Sequence, residues 1–204
     1  MYYNNVLYDE LPTEWNGYEL NTGFQIGIQV YLLYEDKTMS SYEKSVNLAW
    51  LLFGYEDENG EEAYRRIPPE EEFDECLEWF LNGWYLDNPI DQKNKAKYMD
   101  YYTDQWRIYA DFRQIYCINL NEADLHWWEF NGLLWNMPQE QSSFLKAISE
   151  RMIEITKDMT SQAKEYYKGR KKVLALDQPP VEHTEKEKQS IDDFDRFLKK
   201  ANKQ

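Results

Sequence analysis

Apolar residues recur every three or four positions through most of this sequence, which is the spacing of helices that bury one face. The pattern is clearest over residues 98–117, where it predicts a long amphipathic helix. The residues expected on its buried face are Tyr101, Ile108, Phe112 and Ile115, and those that widen the face are Tyr98, Tyr102, Trp106 and Tyr109.

The same spacing predicts six further helices, whose ends are marked by capping residues, prolines or glycines. The segments 55–72 and 87–97 are polar and contain glycine or proline, so we predict that they are connections. In chain order the further helices are predicted to begin at Phe24, after Ser40 and Ser41, after Pro68 and Pro69, at Asn121, at Pro138 and at residue 158.

The helix predicted from Asn121 has apolar residues on nearly every side. We expect Asn121 to cap it, with Glu122 and Asp124 in the first turn, where negative charge favours the helix dipole. A helix with so little polar surface is typically enclosed by others, so we predict that it forms the centre of the fold. The predicted central residues are Trp127, Trp128, Phe130, Leu134, Phe112 and Ile148.

One local signal for β-structure precedes these helices. Asn16 and Gly17 lie between two short alternating runs, which predicts a hairpin with a two-residue turn. The expected fold is therefore mainly α: a helical domain with a small N-terminal β-hairpin over residues 1–176, followed by a charged tail over residues 177–204.

The tail has two parts. Pro179 and Pro180 open a charged linker, after which Ser190 and Asp193 resemble a capping box. An isolated helix this short is marginal in water. Two interpretations stay open: a helix that docks on a partner or on another copy of the chain, and a fraying tail. Its apolar stripe consists of Ile191, Phe194, Phe197 and Leu198.

Charge narrows the class of partner. The formal net charge is −15: residues 1–156 carry 11 Lys and Arg against 29 Asp and Glu, a net −18, whereas residues 157–204 carry 12 against 9, a net +3. An acidic body repels phosphate backbones, so we expect no nucleic-acid partner and a preference for basic or neutral protein surfaces. Without a long apolar run or a leader pattern, we expect neither membrane association nor secretion.

Residues able to perform catalysis are few. Cys76 and Cys117 each stand alone in a helical pattern, so we expect buried, reduced thiols. His183 lies in the linker, and His126 is expected to be a hydrogen-bonded structural histidine. No nucleophile, metalloprotease or phosphate-loop motif is present, so we predict a protein that is not an enzyme and has no cofactor. A small hydrolase that uses His126 is the alternative, which a pocket-lining His126 would favour.

Clusters of acids and of aromatic residues have competing interpretations. The run Glu70, Glu71, Glu72, Asp74 and Glu75 would suit a metal ion, but acids at a helix start more often face solvent. The aromatic residues between 98 and 106 would suit a sugar or single-stranded nucleic acid, but such a stripe is more often core with an exposed remainder that contacts protein. We therefore predict partner binding by Tyr98 and Tyr102 and by the apolar stripe of the tail.

The sequence resembles a bacteriophage family known as the gp-fifteen family, over roughly residues 7–176. The sharpest part of the resemblance is the run Leu125-His126-Trp127-Trp128, followed by Phe130 and preceded by the stretch 111–120. Looser matches are Leu11-Pro12, Phe24, Leu133-Leu134 and the Ile-x-x-Arg pattern of Ile148 and Arg151.

This resemblance implies a role in the tail module of long-tailed phages, near the tape-measure protein. It implies a tail assembly chaperone that acts in the host cytoplasm and binds the tape-measure protein, with homo-oligomers also possible. A tape-measure protein is a long helical chain with an apolar stripe. Until the tail tube encloses this stripe, another protein must bind it to prevent aggregation. The alternative is a structural tail or connector protein that stays in the virion as an oligomeric ring.

Overall fold

The computed structural model describes residues 5–84 and 97–176 of the chain, and over these ranges the fold is mainly helical, as predicted. Two short antiparallel hairpins accompany seven helices. The hairpins are β1 (Glu14–Trp15) with β2 (Tyr18–Glu19) and β3 (Gly54–Glu56) with β4 (Glu62–Tyr64). The helices are α1 (Phe24–Glu35), α2 (Ser41–Phe53), α3 (Glu70–Asn82), α4 (Tyr101–Ile115), α5 (Trp127–Trp135), α6 (Ser143–Met152) and α7 (Ser161–Val173).

None of the helices in these described ranges is long and apolar enough to cross a lipid bilayer. The predicted connection at 87–97 falls almost wholly outside the described residues, as do the tail residues Ile191, Phe194, Phe197 and Leu198.

The N-terminal hairpin confirms the prediction made from Asn16 and Gly17. Both residues have positive φ angles, 48° and 77°, as a two-residue hairpin turn requires. Trp15 pairs with Tyr18 across the turn. The hairpin is followed by Gly23, which forms an isolated antiparallel bridge with His126 and so connects the start of the chain to the start of α5.

The second hairpin, β3 with β4, contradicts the prediction that 55–72 is only a connection. Its strands are only three residues long, Gly-Tyr-Glu and Glu-Ala-Tyr, which is too short to show an alternating apolar pattern. The turn is held by the Asp57 carboxylate, which accepts hydrogen bonds from the amides of Asn59 and Glu61 at 2.8 and 2.9 Å. Local turn chemistry rather than apolar spacing therefore makes this hairpin.

Stacked aromatic rings form the centre of the core. Phe130 on α5 lies between Phe24 and Phe112, with ring centroids 5.0 and 5.1 Å apart and nearly parallel planes. Trp127 stacks on the same Phe130 ring at 5.9 Å. All six residues predicted for the centre are buried, none more than 7 % exposed. The prediction that the Trp-Trp helix is central is therefore confirmed.

The start of α5 differs from the prediction. Residues 119–123 form a turn, and the helix begins at Trp127, not Asn121. Its cap is His126, whose Nδ1 accepts a hydrogen bond from the Trp128 amide. The reason lies outside this segment: the amide of Phe24 bonds the carbonyl of Leu125 at 2.9 Å, and this pairing keeps the residues before α5 extended.

The start of α6 also lies later than predicted. Pro138 heads a turn, and the helix begins at Ser143 with Ser142 as its cap. The Asp111 carboxylate on α4 reaches this helix end and accepts hydrogen bonds from the amides of Ser143 and Phe144 at 3.0 and 2.9 Å. A side chain distant in sequence thus decides where α6 begins.

Both cysteines are free thiols, but only Cys76 is buried as predicted, and burial raises its pKa to about 12. Cys117 is exposed and has a φ of 58°, so the prediction of a buried thiol is wrong for this residue. The helix α4 ends two residues earlier, at Ile115, and Cys117 takes a left-handed conformation in the turn that follows.

Candidate protein-binding site

An apolar groove runs between α1 and α4 and encloses about 490 Å³. Its floor consists of buried residues from three helices: Phe24, Tyr101, Ile108 and Phe130. Its remaining lining consists of Gln25, Ile28, Leu32, Tyr102, Gln105, Trp106, Tyr109, Leu120 and Asn121. We call this feature the α1–α4 groove, and none of these lining side chains carries a charge.

Two large aromatic side chains stand exposed beside the groove. Tyr102 is 76 % exposed and Trp106 is 74 % exposed, one helical turn apart on α4. Trp106 packs edge-to-face on Tyr109 at 5.9 Å, and the Tyr109 hydroxyl donates to Asn119 Oδ1 at 3.1 Å. Because Tyr109 is held in this way, the Trp106 ring has a fixed support while most of its surface faces solvent.

The two tyrosines predicted to bind a partner lie in different environments. Tyr102 belongs to the groove, whereas Tyr98 is half-buried and packs edge-to-face on Trp135 at 6.4 Å. Burial raises the pKa of Tyr98, and its backbone carbonyl accepts a hydrogen bond from Arg151 at 3.1 Å. The structure therefore brings Tyr102 together with Trp106 and leaves Tyr98 outside the lining.

Charged residues outside the groove lining join the end of α1 to the residues just before α4. The Lys97 ammonium bonds the Glu35 carboxylate at 2.7 Å and also the Asp100 carboxylate, and thereby connects the end of α1 to the start of α4. Burial alone would raise the pKa of Asp100, but hydrogen bonds from Lys97 and from the Thr103 amide hold it below its usual value. Asp100 therefore serves as a charged cap for α4.

His126 lies away from the groove, and both of its ring nitrogens are engaged. Nδ1 accepts a hydrogen bond from the Trp128 amide at 3.0 Å. Nε2 lies 3.0 Å from the Pro12 carbonyl oxygen, and it donates to this oxygen in the tautomer that carries the ring proton on Nε2. Burial lowers its pKa. This arrangement confirms the expected hydrogen-bonded structural histidine.

The acidic run at 70–75 lies in the first turns of α3 and faces solvent, as predicted. Within residues 5–84 and 97–176, no group of three or more His, Cys, Asp or Glu side chains is arranged to hold a metal ion.

Two acids on α4 were missed by the sequence interpretation. Asp104 and Asp111 are 0 % and 2 % exposed and lie on the apolar face of the helix. Asp104 pairs with Arg151, and Asp111 binds the start of α6. Both acids lie three residues after a buried apolar residue of α4, Asp104 after Tyr101 and Asp111 after Ile108. This spacing puts them on the same helix face and is the signal that would have predicted their burial.

The residues of the Leu-His-Trp-Trp run thus hold the fold together. Trp128 Nε1 donates to the Phe80 carbonyl at 2.8 Å, and the Trp127 ring lies directly against Gly27 of α1. An open apolar surface lies elsewhere, in the α1–α4 groove. Within the described residues, the fold is a small helical domain with an open apolar groove.

The chain belongs to the bacteriophage Gp15 protein family, whose model matches residues 7–176. This range agrees with the resemblance seen in the sequence. Neither a curated protein nor a solved structure matches the chain significantly.

Proposed function

We infer that this protein is a non-catalytic assembly factor of the phage tail, which binds an amphipathic helical segment of the tape-measure protein in the α1–α4 groove. Its family supports the phage context. The observation that carries the proposal is the pair of exposed rings, Tyr102 and Trp106, beside an uncharged apolar groove.

The chemistry of the groove suits a helix with an apolar stripe. Helices bind such grooves by inserting side chains spaced three and four residues apart, and buried aromatic rings supply contact area at a small entropic cost. Gln25, Gln105 and Asn121 provide polar contacts along the lining without the cost of burying a charge.

Charge favours a partner helix with basic flanks. The described residues carry 15 Lys and Arg against 29 Asp and Glu, a net charge of −14. This field repels other copies of the protein and attracts cationic segments, so it would keep a complex with an aggregation-prone partner dispersed. The association rate should therefore fall as the salt concentration rises.

The test is binding of the full-length protein to helical segments of the tape-measure protein from the same phage, measured by calorimetry. Trp106→Ser should weaken binding about tenfold or more, because central aromatic contacts dominate such interfaces. Tyr42→Ser is the matched control, since Tyr42 is 78 % exposed on α2 and lies outside the groove. Equal affinity of Trp106→Ser and the parent would refute this use of the groove.

The composition of mature particles distinguishes an assembly factor from the alternative, a ring-forming virion protein. An assembly factor should be absent from purified tails. A fixed copy number in purified tails would instead establish the structural role.

A further inference from the structure

The described chain ends close to the residues that precede α4, and Leu174 and Leu176 lie outside the lining of the α1–α4 groove. Leu174 and Leu176 are buried, 3 % and 7 % exposed, so the exit of the tail is anchored to the domain. Arg151 fixes its position, because its Nε donates to the Leu174 carbonyl at 2.7 Å and its Nη1 to the Tyr98 carbonyl at 3.1 Å. The tail thus leaves the domain close to the segment that leads into α4, whose first turn contributes Tyr101 and Tyr102 to the groove.

The apolar stripe of the tail is within reach of the groove in the same chain. Fourteen residues separate Leu176 from Ile191, and a chain of that length extends to about 46 Å. The helix α4 has 15 residues, which corresponds to a length of about 22 Å. A tether of this length gives an effective concentration in the millimolar range, which favours the chain's own tail over the tail of another copy.

The residues of the stripe match the groove in chemistry. Ile191, Phe194 and Leu198 fall at spacings of three and four, so a helix would place them on one face. Phenylalanine rings suit the exposed faces and edges of Tyr102 and Trp106. A helix this short does not persist alone in water and needs a surface on which to form.

Charge also favours this contact. Residues 190–204 carry Arg196, Lys199, Lys200 and Lys203 against Asp192, Asp193 and Asp195, a net +1, whereas the described part of the chain carries a net charge of −14. Asp192 and Asp193 fall at the start of the same stripe, where negative charge stabilises a helix N-terminus.

We propose that residues 190–204, the tail segment, bind the α1–α4 groove of their own chain through the apolar residues Ile191, Phe194, Phe197 and Leu198. The tail segment and the partner would then compete for Tyr102 and Trp106. This last consequence, competition with the partner, rests on the proposed function, whereas binding of the tail segment does not.

Hydrogen exchange of the full-length protein, followed by mass spectrometry without any partner, tests the contact. Amides of the tail segment should exchange at least tenfold more slowly than those of a free peptide of the same sequence. Trp106→Ser should abolish this protection, and the Tyr42→Ser control should keep it. Unchanged protection of α5 amides in Trp106→Ser verifies that the domain remains folded.

Three results would overturn the proposal: exchange of the tail segment at the free-peptide rate, protection that survives Trp106→Ser, or protection that grows with protein concentration. The last would assign the groove to the tail of a second copy.

Competition is tested separately with the variant Phe194→Ser/Phe197→Ser, which should bind the tape-measure segment several-fold more tightly than the parent. Equal affinity together with an unprotected tail segment would refute the tail contact and leave the proposed function intact. A protected tail segment with no tape-measure binding in either protein would refute the proposed function and leave the tail contact intact.

Discussion

Arg151 and Asp104 form a two-pronged ion pair inside the protein. Arg151 Nη1 lies 2.7 Å from Asp104 Oδ2 and Nη2 lies 2.8 Å from Oδ1, with the two side chains only 7 % and 0 % exposed. The pair connects α6 to α4, and two of the three remaining guanidinium hydrogens bond the carbonyls of Tyr98 and Leu174. Nearly all hydrogen-bonding capacity of this arginine is therefore used within the fold.

Replacing Arg151 should be costly because it leaves the buried Asp104 carboxylate with Arg107, whose side chain is 34 % exposed, as its remaining ionic partner. We expect Arg151→Met to lower the free energy of unfolding by about 3 to 5 kcal/mol in urea titrations followed by circular dichroism. Arg170→Met is the control: its guanidinium bonds Glu150 at 2.8 Å but is 41 % exposed, so the loss should be much smaller, because solvent screens an exposed pair. Equal losses in the two variants would show that burial of the pair is not what matters.

The double variant Asp104→Leu/Arg151→Met separates the effect of the two charges from the effect of side-chain packing. It removes both charges, so it should be more stable than Arg151→Met alone. A double variant that is less stable than either single variant would contradict this interpretation.

The two kinds of tryptophan should respond differently to truncation. Trp128 is 6 % exposed and hydrogen-bonded, so Trp128→Ala should cost about 3 to 5 kcal/mol of unfolding free energy. Trp106 is 74 % exposed, so Trp106→Ala should change it by no more than about 0.5 kcal/mol. Thermal and urea unfolding of both variants checks this, and a Trp128→Ala variant that melts like the parent would contradict its buried placement.

Two helical glycines provide a matched test of close packing. A Cβ added at Gly27 would lie 2.1 Å from the Trp127 ring, whereas one added at Gly132 would meet nothing within 4 Å. Gly27→Ala should therefore destabilise the protein by about 1 to 3 kcal/mol through overpacking. Gly132→Ala should stabilise it by about 0.5 to 1 kcal/mol, because alanine loses less backbone entropy in a helix.

Unfolding midpoints in urea measure both effects. A neutral Gly27→Ala would contradict the contact between α1 and the indole of Trp127. A loss of stability in Gly132→Ala would contradict the open space around that position.

Stability should depend on pH through His126. Burial lowers its pKa below the ordinary value of 6.5, so the unfolded chain binds more protons than the folded one in the window between the two values. The free energy of unfolding should therefore fall as the pH falls through 6.5 and level off below the folded pKa. Asp100, whose pKa is lowered from 3.8, contributes only in a more acidic window.

Urea titrations at a series of pH values, from about pH 8 to about pH 5, measure this dependence. His126→Asn should flatten it, because asparagine caps a helix without titrating in this range. A His126→Asn variant with the slope of the parent would assign the dependence to another group.

Apolar spacing predicted the helices and the aromatic centre because the buried residues Phe112, Phe130 and Trp128 belong to apolar sets that recur at helical intervals in the sequence. It failed where a long-range contact decides the local structure. The start of α5 is set by the bridge between Gly23 and His126, and the start of α6 by Asp111. Neither partner is visible from the residues next to those helix ends.

The candidate site was predicted only in part for a similar reason. Periodicity identifies the apolar face of α4, but it does not indicate which residues at the edges of that face are covered by another helix. The structure leaves Tyr102 and Trp106 exposed next to α1 and encloses Tyr98 beside Trp135. Tertiary packing decides which of these aromatic residues are exposed and which are buried, and the apolar pattern of one helix does not encode that packing.

The positions of Asp111 and Arg151 in the chain also bear on the order in which a nascent polypeptide can complete this domain. When Ser143 leaves the ribosome, Asp111 has already been synthesised. Its carboxylate can accept the hydrogen bond from the Ser143 amide at once, so α6 can be completed without delay. Asp104, in contrast, has one cationic partner close by, Arg107 at 3.0 Å, and a second, Arg151, that follows 47 residues later. Until Arg151 emerges, Arg107 alone compensates that carboxylate, so the buried contact between α4 and the end of α6 is completed only after the sixth helix is made.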